Sequence, residues 1–81
     1  MQELSADKSV LQHIDELVTQ EHRLQAQESL TEDERARLRT IQVELDQSWD
    51  LLRQRRALRA TGQDPDRAQV RPAEIVEKYE Q

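Results

Sequence analysis

Arginines crowd around a tryptophan in residues 49–59, WDLLRQRRALR, and this stretch carries the clearest chemistry in the sequence. Guanidinium groups hold phosphates and carboxylates through paired hydrogen bonds, and an aromatic ring adds a surface for stacking. The stretch therefore predicts one of three things: a contact with nucleic acid, a docking site for an acidic protein, or a helix end whose arginine stems cover the core.

Other reactive residue types are sparse. His13 and His22 lie about 180° apart on a helix, and neither belongs to the Glu-x-x-His pair that di-iron bundles use. Neighbouring acids such as Asp15 and Glu16 diverge by about 100° and do not converge on one substrate. The chain has no cysteine and no glycine-rich phosphate loop. We therefore expect no catalytic residue, no metal ligand, no cofactor and no enzymatic activity.

Composition points to one small charged domain over residues 1–81. The net charge is −5, yet residues 35–71 hold nine arginines against five acids, whereas residues 1–34 hold nine acids against two bases. The overall negative charge disfavours nucleic acid as a partner. No long apolar run is present, and the acidic start differs from a signal peptide. We expect a cytoplasmic protein without membrane contact.

Apolar periodicity and capping residues predict two long helices. The first covers about residues 7–28, on a stripe made by Val10, Ile14, Leu17 and Leu24. Thr31 and Glu34 form a capping box that opens the second, and Gly62 ends it, which gives bounds of about 31–61. The second helix carries its own apolar strip: Leu38, Ile41, Leu45, Trp49 and Leu52.

A third, shorter helix is predicted at the carboxyl end. The composition of residues 62–71 predicts an internal loop, in which Asp64-Pro65 forms a turn or a helix cap. Pro72 then opens a helix over about residues 72–80, with Ile75, Val76 and Tyr79 on one side. We expect this side to fold back over Leu51 and Leu58.

The short connection between the long helices predicts an all-α antiparallel helical hairpin. Because the second helix is the longer, we expect it to project past the first. In that projection Arg56 and Arg59 would cover the end of the core, while Arg53 and Arg55 would be solvated.

A hairpin leaves part of each apolar strip uncovered, which predicts a homodimer that closes a four-helix bundle. The function expected is protein–protein interaction, with an unidentified protein as a further partner. Trp, Tyr and Arg often dominate interfaces, so the candidate partner-binding residues are Trp49, Arg53, Arg56, Arg59, Arg71 and Tyr79. The alternative is binding of RNA or the ribosome through the same arginines.

The segments ELDQSWDLLRQRRALR, G-x-D-P and VRP…VE-x-Y resemble a family of short actinobacterial proteins known only as a domain of unknown function. The resemblance covers nearly the whole chain, and it implies that the carboxyl-terminal segment belongs to the fold. It supplies no activity, cofactor or catalytic residue. The residues that recur together in that family are Glu44, Asp46, Trp49, Asp50, Arg53, Arg55, Arg56, Gly62, Asp64, Pro65, Arg71, Pro72 and Tyr79.

Overall fold

Three helices and one short 3₁₀ turn make up the computed structural model, which describes the backbone of residues 2–80 and the side chains of residues 6–76. Helix α1 spans Gln2–Gln25, α2 spans Glu32–Ala60, the 3₁₀ turn spans Pro65–Arg67 and α3 spans Ala73–Glu80. Hydrogen bonds that join α1 to α2, from Arg55 to Asp7 and from Arg37 to Gln20, make these helices antiparallel. The predicted all-α hairpin with a short carboxyl-terminal helix is confirmed.

Both ends of α2 are fixed by the residues that the sequence marks. The Thr31 hydroxyl accepts a hydrogen bond from the amide of Glu34 at 3.1 Å, and the Glu34 carboxylate accepts one from the Thr31 amide at 2.9 Å. Gly62 has a φ of 76°, which only glycine adopts freely. The amide of Gln63 reaches back to the carbonyl of Leu58 at 2.8 Å and completes a Schellman ending.

The core lies between α1 and α2. Apolar side chains spaced by three or four residues fall on one side of a helix, so each helix contributes one stripe. The buried residues of this cluster are Ile14, Leu17, Leu24, Ile41 and Leu45, with Val10, Val18, Leu30 and Leu38 packed at its edges.

Trp49 does not join this core, although the strip predicts it there: the residue is 41% exposed. Leu52, a member of the same predicted strip, is buried. Successive helical residues turn by about 100°, so Trp49 lies about 80° around α2 from Ile41 and at the edge of the face that meets α1. The prediction that Trp49 packs in the core is therefore wrong.

The predicted projection of α2 beyond α1 is also wrong. Helix α1 begins at Gln2 rather than near residue 7, and its Asp7 contacts both Arg55 and Arg59 near the far end of α2. Arg55 is therefore buried rather than solvated, while Arg56, expected to cover the core end, is exposed. Asp7, in the second turn of α1, binds the arginines near the carboxyl end of α2, and the first turns of α1 therefore lie beside that end.

The carboxyl-terminal segment packs on another side of α2, as the resemblance implies. The 3₁₀ turn and α3 both contact α2. Side chains of Gln54 and Gln47 donate hydrogen bonds to the carbonyls of Gln69 and Arg71, so this segment runs antiparallel to α2. Val76 is fully buried, but its neighbour Ile75 is 47% exposed, because adjacent helical residues point about 100° apart. The predicted apolar side of α3 therefore loses Ile75.

Candidate functional site

A buried ion cluster ties α1 and the 3₁₀ turn to α2. Arg55 is only 6% exposed, and its Nε donates to the Asp7 carboxylate at 2.7 Å. Its Nη1 donates to the Asp66 carboxylate at 2.9 Å and to the Pro65 carbonyl at 3.2 Å. Arg59 donates to the second Asp7 oxygen at 2.7 Å. A guanidinium buried this deeply is tolerated because its donors are paired with carboxylates and a carbonyl.

The charges in this cluster stabilise one another. The hydrogen bond from Arg55, reinforced by that from Arg59, holds the pKa of Asp7 below its ordinary value. The same bond to Asp7, with the one to Asp66, raises the pKa of Arg55. Both pKa shifts favour the charged forms of Asp7 and Arg55, and the cluster acts as a structural clamp between α1, α2 and the 3₁₀ turn.

A second clamp holds the carboxyl-terminal segment to α2. Asp50 is 1% exposed, and Arg71 donates from Nε and Nη2 to both of its carboxylate oxygens, the first at 2.8 Å. Gln54 adds a hydrogen bond to the same carboxylate at 2.8 Å. The bidentate pair with Arg71 lowers the pKa of Asp50, and Gln54 contributes in the same direction. Arg71 therefore works as an anchor for residues 68–72.

Three exposed residues that belong to neither clamp lie on the outward side of α2. We call this surface the Trp49 face, and it consists of Trp49, Arg53 and Arg56. All three are exposed, and their spacing of four and three residues places them on one side of the helix. Arg56 has no ion-pair partner among residues 6–76, whose side chains the structure describes. An aromatic ring beside two cations on an uncovered helix side is well suited to contact with a protein.

A shallow cleft of about 490 Å³ opens on the opposite side of the hairpin, between α1, α2 and Val70. Val10, Leu51 and Val70 give it an apolar lining, and His13 lies 3.9 Å from Glu44 at its rim. Both side chains of that pair are about half exposed, so the contact is weak. Within the described part of the chain, no group of three or more acids and histidines converges on a metal position.

Of the five candidate partner-binding residues whose side chains are described, the structure brings three together. Trp49, Arg53 and Arg56 share the Trp49 face, whereas Arg59 and Arg71 bind Asp7 and Asp50 in the two clamps. The Tyr79 side chain lies outside the described residues. Among the described helices, none has the length and apolar character that a membrane crossing requires.

Sequence reasoning did not identify the aspartates that bind some of these arginines and so decide which arginines are held in the clamps. Asp7, Asp50 and Asp66 lie far from their partners along the chain, so no helical spacing rule pairs them. Asp50, about 180° around α2 from Ile41, gave no usable signal. Arg55 gave one, because helical spacing places it between the apolar Leu52 and Leu51 around α2. Charged residues on an inward side need partners, and those partners had to come from other elements.

Comparison with known proteins agrees with the resemblance seen in the sequence. A family model described as Protein of unknown function (DUF2630) matches residues 6–81. Similar chains include Uncharacterized protein Mb0922c of Mycobacterium bovis and Uncharacterized protein Rv0898c of Mycobacterium tuberculosis. Each is 54% identical over 77 residues, which covers 90% of this chain and 88% of the relative. No solved structure matches the chain.

Proposed function

The chain belongs to the family described as Protein of unknown function (DUF2630), and we propose that it is a small non-enzymatic helical module that binds protein and forms a homodimer. The observation that carries this proposal is that the Trp49 side chain is 41% exposed at the edge of the core, with the exposed Arg53 and Arg56 beside it. Tryptophan and arginine supply a large share of the binding energy in protein interfaces. A cytoplasmic location is part of the proposal, since a cysteine-free chain suits a reducing compartment.

The division of the arginines supports protein over nucleic acid as the partner. A phosphate-binding surface needs several exposed cations on one side, and each contact adds to the affinity. Arg59 and Arg71 bind Asp7 and Asp50, and the Trp49 face carries two exposed arginines, Arg53 and Arg56. Protein interfaces, in contrast, need only a few anchoring residues.

Capture from lysate tests the protein-binding proposal. A tagged chain should retain protein after nuclease treatment, either untagged copies of itself or another chain, and the Arg53→Glu, Arg56→Glu variant should lose it. The matched control is Arg23→Glu, Arg67→Glu, which makes the same charge change at two exposed positions elsewhere. If the same proteins are retained by all three chains, the Trp49 face is not the binding surface.

Binding of single-stranded RNA is the second candidate, favoured by the position of Trp49 beside two exposed arginines, because bases stack on aromatic rings. A titration with salt separates the two. Two phosphate contacts would make log affinity fall with log salt by about 0.7 per phosphate, so the slope would be shallow but measurable. If RNA is not shifted at low salt, this candidate is excluded.

A further inference from the structure

The molecule is a single layer of helices. Helix α1 and the carboxyl-terminal segment pack on opposite sides of α2, because Asp50, which holds that segment, lies about 180° around α2 from Ile41, which packs against α1. Helix α2 lies in the middle: Ile41 and Leu45 contribute to its core with α1, while Asp50 and Gln54 hold the carboxyl-terminal segment. Stable domains usually consist of two packed layers, so a one-layer chain leaves two broad sides open.

The two broad sides differ in what they expose. His13 and Glu44 line the shallow cleft on one of them. Leu11 lies about 160° from His13 around α1, and Trp49 lies about 140° from Glu44 around α2, so both belong to the other broad side. Leu11 and Trp49 are each 41% exposed. The broad side with the Trp49 face thus carries the larger exposed apolar side chains of the hairpin.

Asp46, next to the Trp49 face on the same broad side, makes the charges along this side of α2 self-complementary. Asp46 lies three residues before Trp49 and Arg53 four residues after it, all within a strip of about 60° on α2. If a second α2 crosses antiparallel with the two tryptophans at the two-fold axis, each Asp46 meets the other chain's Arg53. A parallel arrangement would place like charges together. Opposite charges select the orientation and register of an interface more strongly than they add to its affinity.

We infer that the partner of the Trp49 face is a second copy of this chain, bound antiparallel about a two-fold axis at Trp49, with Asp46 and Arg53 paired across the interface in both directions. Such a contact is isologous, which is the usual form of a homodimer. A side of 48 × 26 Å is large enough for the roughly 800 Å² per partner that a standard interface buries. The second copy supplies the missing layer and completes a four-helix bundle. This inference rests on the proposed function, because it names the partner that the Trp49 face binds.

Two single charge reversals in the full-length chain test the register. Asp46→Arg and Arg53→Asp each place like charges together twice in a homodimer, so each variant should dimerise at least about tenfold more weakly than the natural chain. Mixed together, they restore both opposite-charge contacts. Native mass spectrometry of the mixture should therefore show heterodimer in excess of either homodimer, since the two substitutions change the chain mass in opposite directions.

The matched control uses Glu16→Arg and Arg23→Asp. These reversals have the same seven-residue spacing but lie at exposed positions on the outer side of α1. They should leave dimerisation unchanged and give the statistical mixture of dimers. Circular dichroism should show that all four variants keep their helices.

The outcomes separate the inference from the proposed function. If the natural chain dimerises but the Asp46 and Arg53 variants behave like the controls, the dimer uses another side and the inference is overturned, while the homodimer stands. If the natural chain has the 9.6 kDa monomer mass at tens of micromolar, the inference and the homodimer both fail. Protein binding by the Trp49 face is then decided by the capture experiment alone.

Discussion

Arg55 and Arg56 are neighbours in the chain and have opposite roles. Arg55 points inward, where Asp7, Asp66 and the Pro65 carbonyl bind it. Arg56 points outward and is exposed on the Trp49 face. One residue along a helix turns the side chain by about 100°, and this angle alone separates a structural residue from one available for binding. An arginine-rich stretch therefore does not identify a binding site until the partners of each arginine are known.

Replacing Arg55 should have the largest effect on stability. Arg55→Ala leaves Asp7 without its main partner in a nearly closed site, and breaking a buried ion pair typically costs about 3–5 kcal/mol of unfolding free energy. In a chain of this size the melting temperature should fall by well over ten degrees, since each kcal/mol is worth roughly 4–8 °C. Thermal melts followed by circular dichroism measure this. A melting temperature within a few degrees of the natural chain would mean that the clamp does not hold the fold.

Loss of the second clamp should have a smaller effect. Asp50→Asn weakens the bidentate bond to Arg71, and hydrogen bonds to charged groups contribute about 1.5–3 kcal/mol. Residues 61–72 should then become more accessible to protease, while α1 and α2 remain protected. Deletion of residues 70–81 should lower the melting temperature by several degrees through the same loss of packing on α2. Unchanged protease sensitivity would contradict the anchoring role of Arg71.

Acid should weaken both clamps together. The pKa values of Asp7 and Asp50 lie below the ordinary 3.8 in the folded chain, so the unfolded chain takes up protons first as the pH falls. Their contribution to stability is complete above that ordinary value and is lost as the pH falls through and below it. Melts from pH 7 to pH 3 should show the decline, and the Asp7→Asn variant should show less of it. If the melting temperature falls equally with pH in the natural chain and in the Asp7→Asn variant, protonation of Asp7 is not a cause of the loss of stability.

Changes on the outer side should have the smallest effect on the fold. Arg56→Ala removes no hydrogen bond or ion pair within residues 6–76, and such surface changes typically stay within about 0.5 kcal/mol. Its melting temperature, taken at low micromolar concentration to limit any dimer contribution, should match that of the natural chain. A loss comparable to Arg55→Ala would erase the distinction between the two sides of α2.

Local signals in the sequence sufficed for the helices. Thr31 with Glu34 and Gly62 fix the ends of α2 through contacts a few residues away, and the apolar spacing finds the core of the hairpin. The side occupied by Trp49 was not predictable in the same way. The predicted apolar strip of α2 spans about 80°, and the sequence does not show which edge of the strip faces solvent; in the structure that edge holds Trp49.

The candidate site was predicted only in part, for a related reason. Trp49, Arg53 and Arg56 needed no long-range information, because helical spacing alone places them together. Arg59 and Arg71 have the same residue type, but their partners lie 52 and 21 residues away in the chain. Pairing across such distances depends on how the hairpin and the carboxyl-terminal segment fold together, which spacing rules do not encode.

Light scattering of the natural chain beside the Arg53→Glu, Arg56→Glu variant tests the role of the outer arginines most directly. We predict twice the 9.6 kDa chain mass for the natural protein at tens of micromolar, and the chain mass for the variant, with equal helix content in both. A measured mass of 9.6 kDa for the natural protein, or a dimer mass for the variant, would contradict the claim that the Trp49 face forms a homodimer through its arginines.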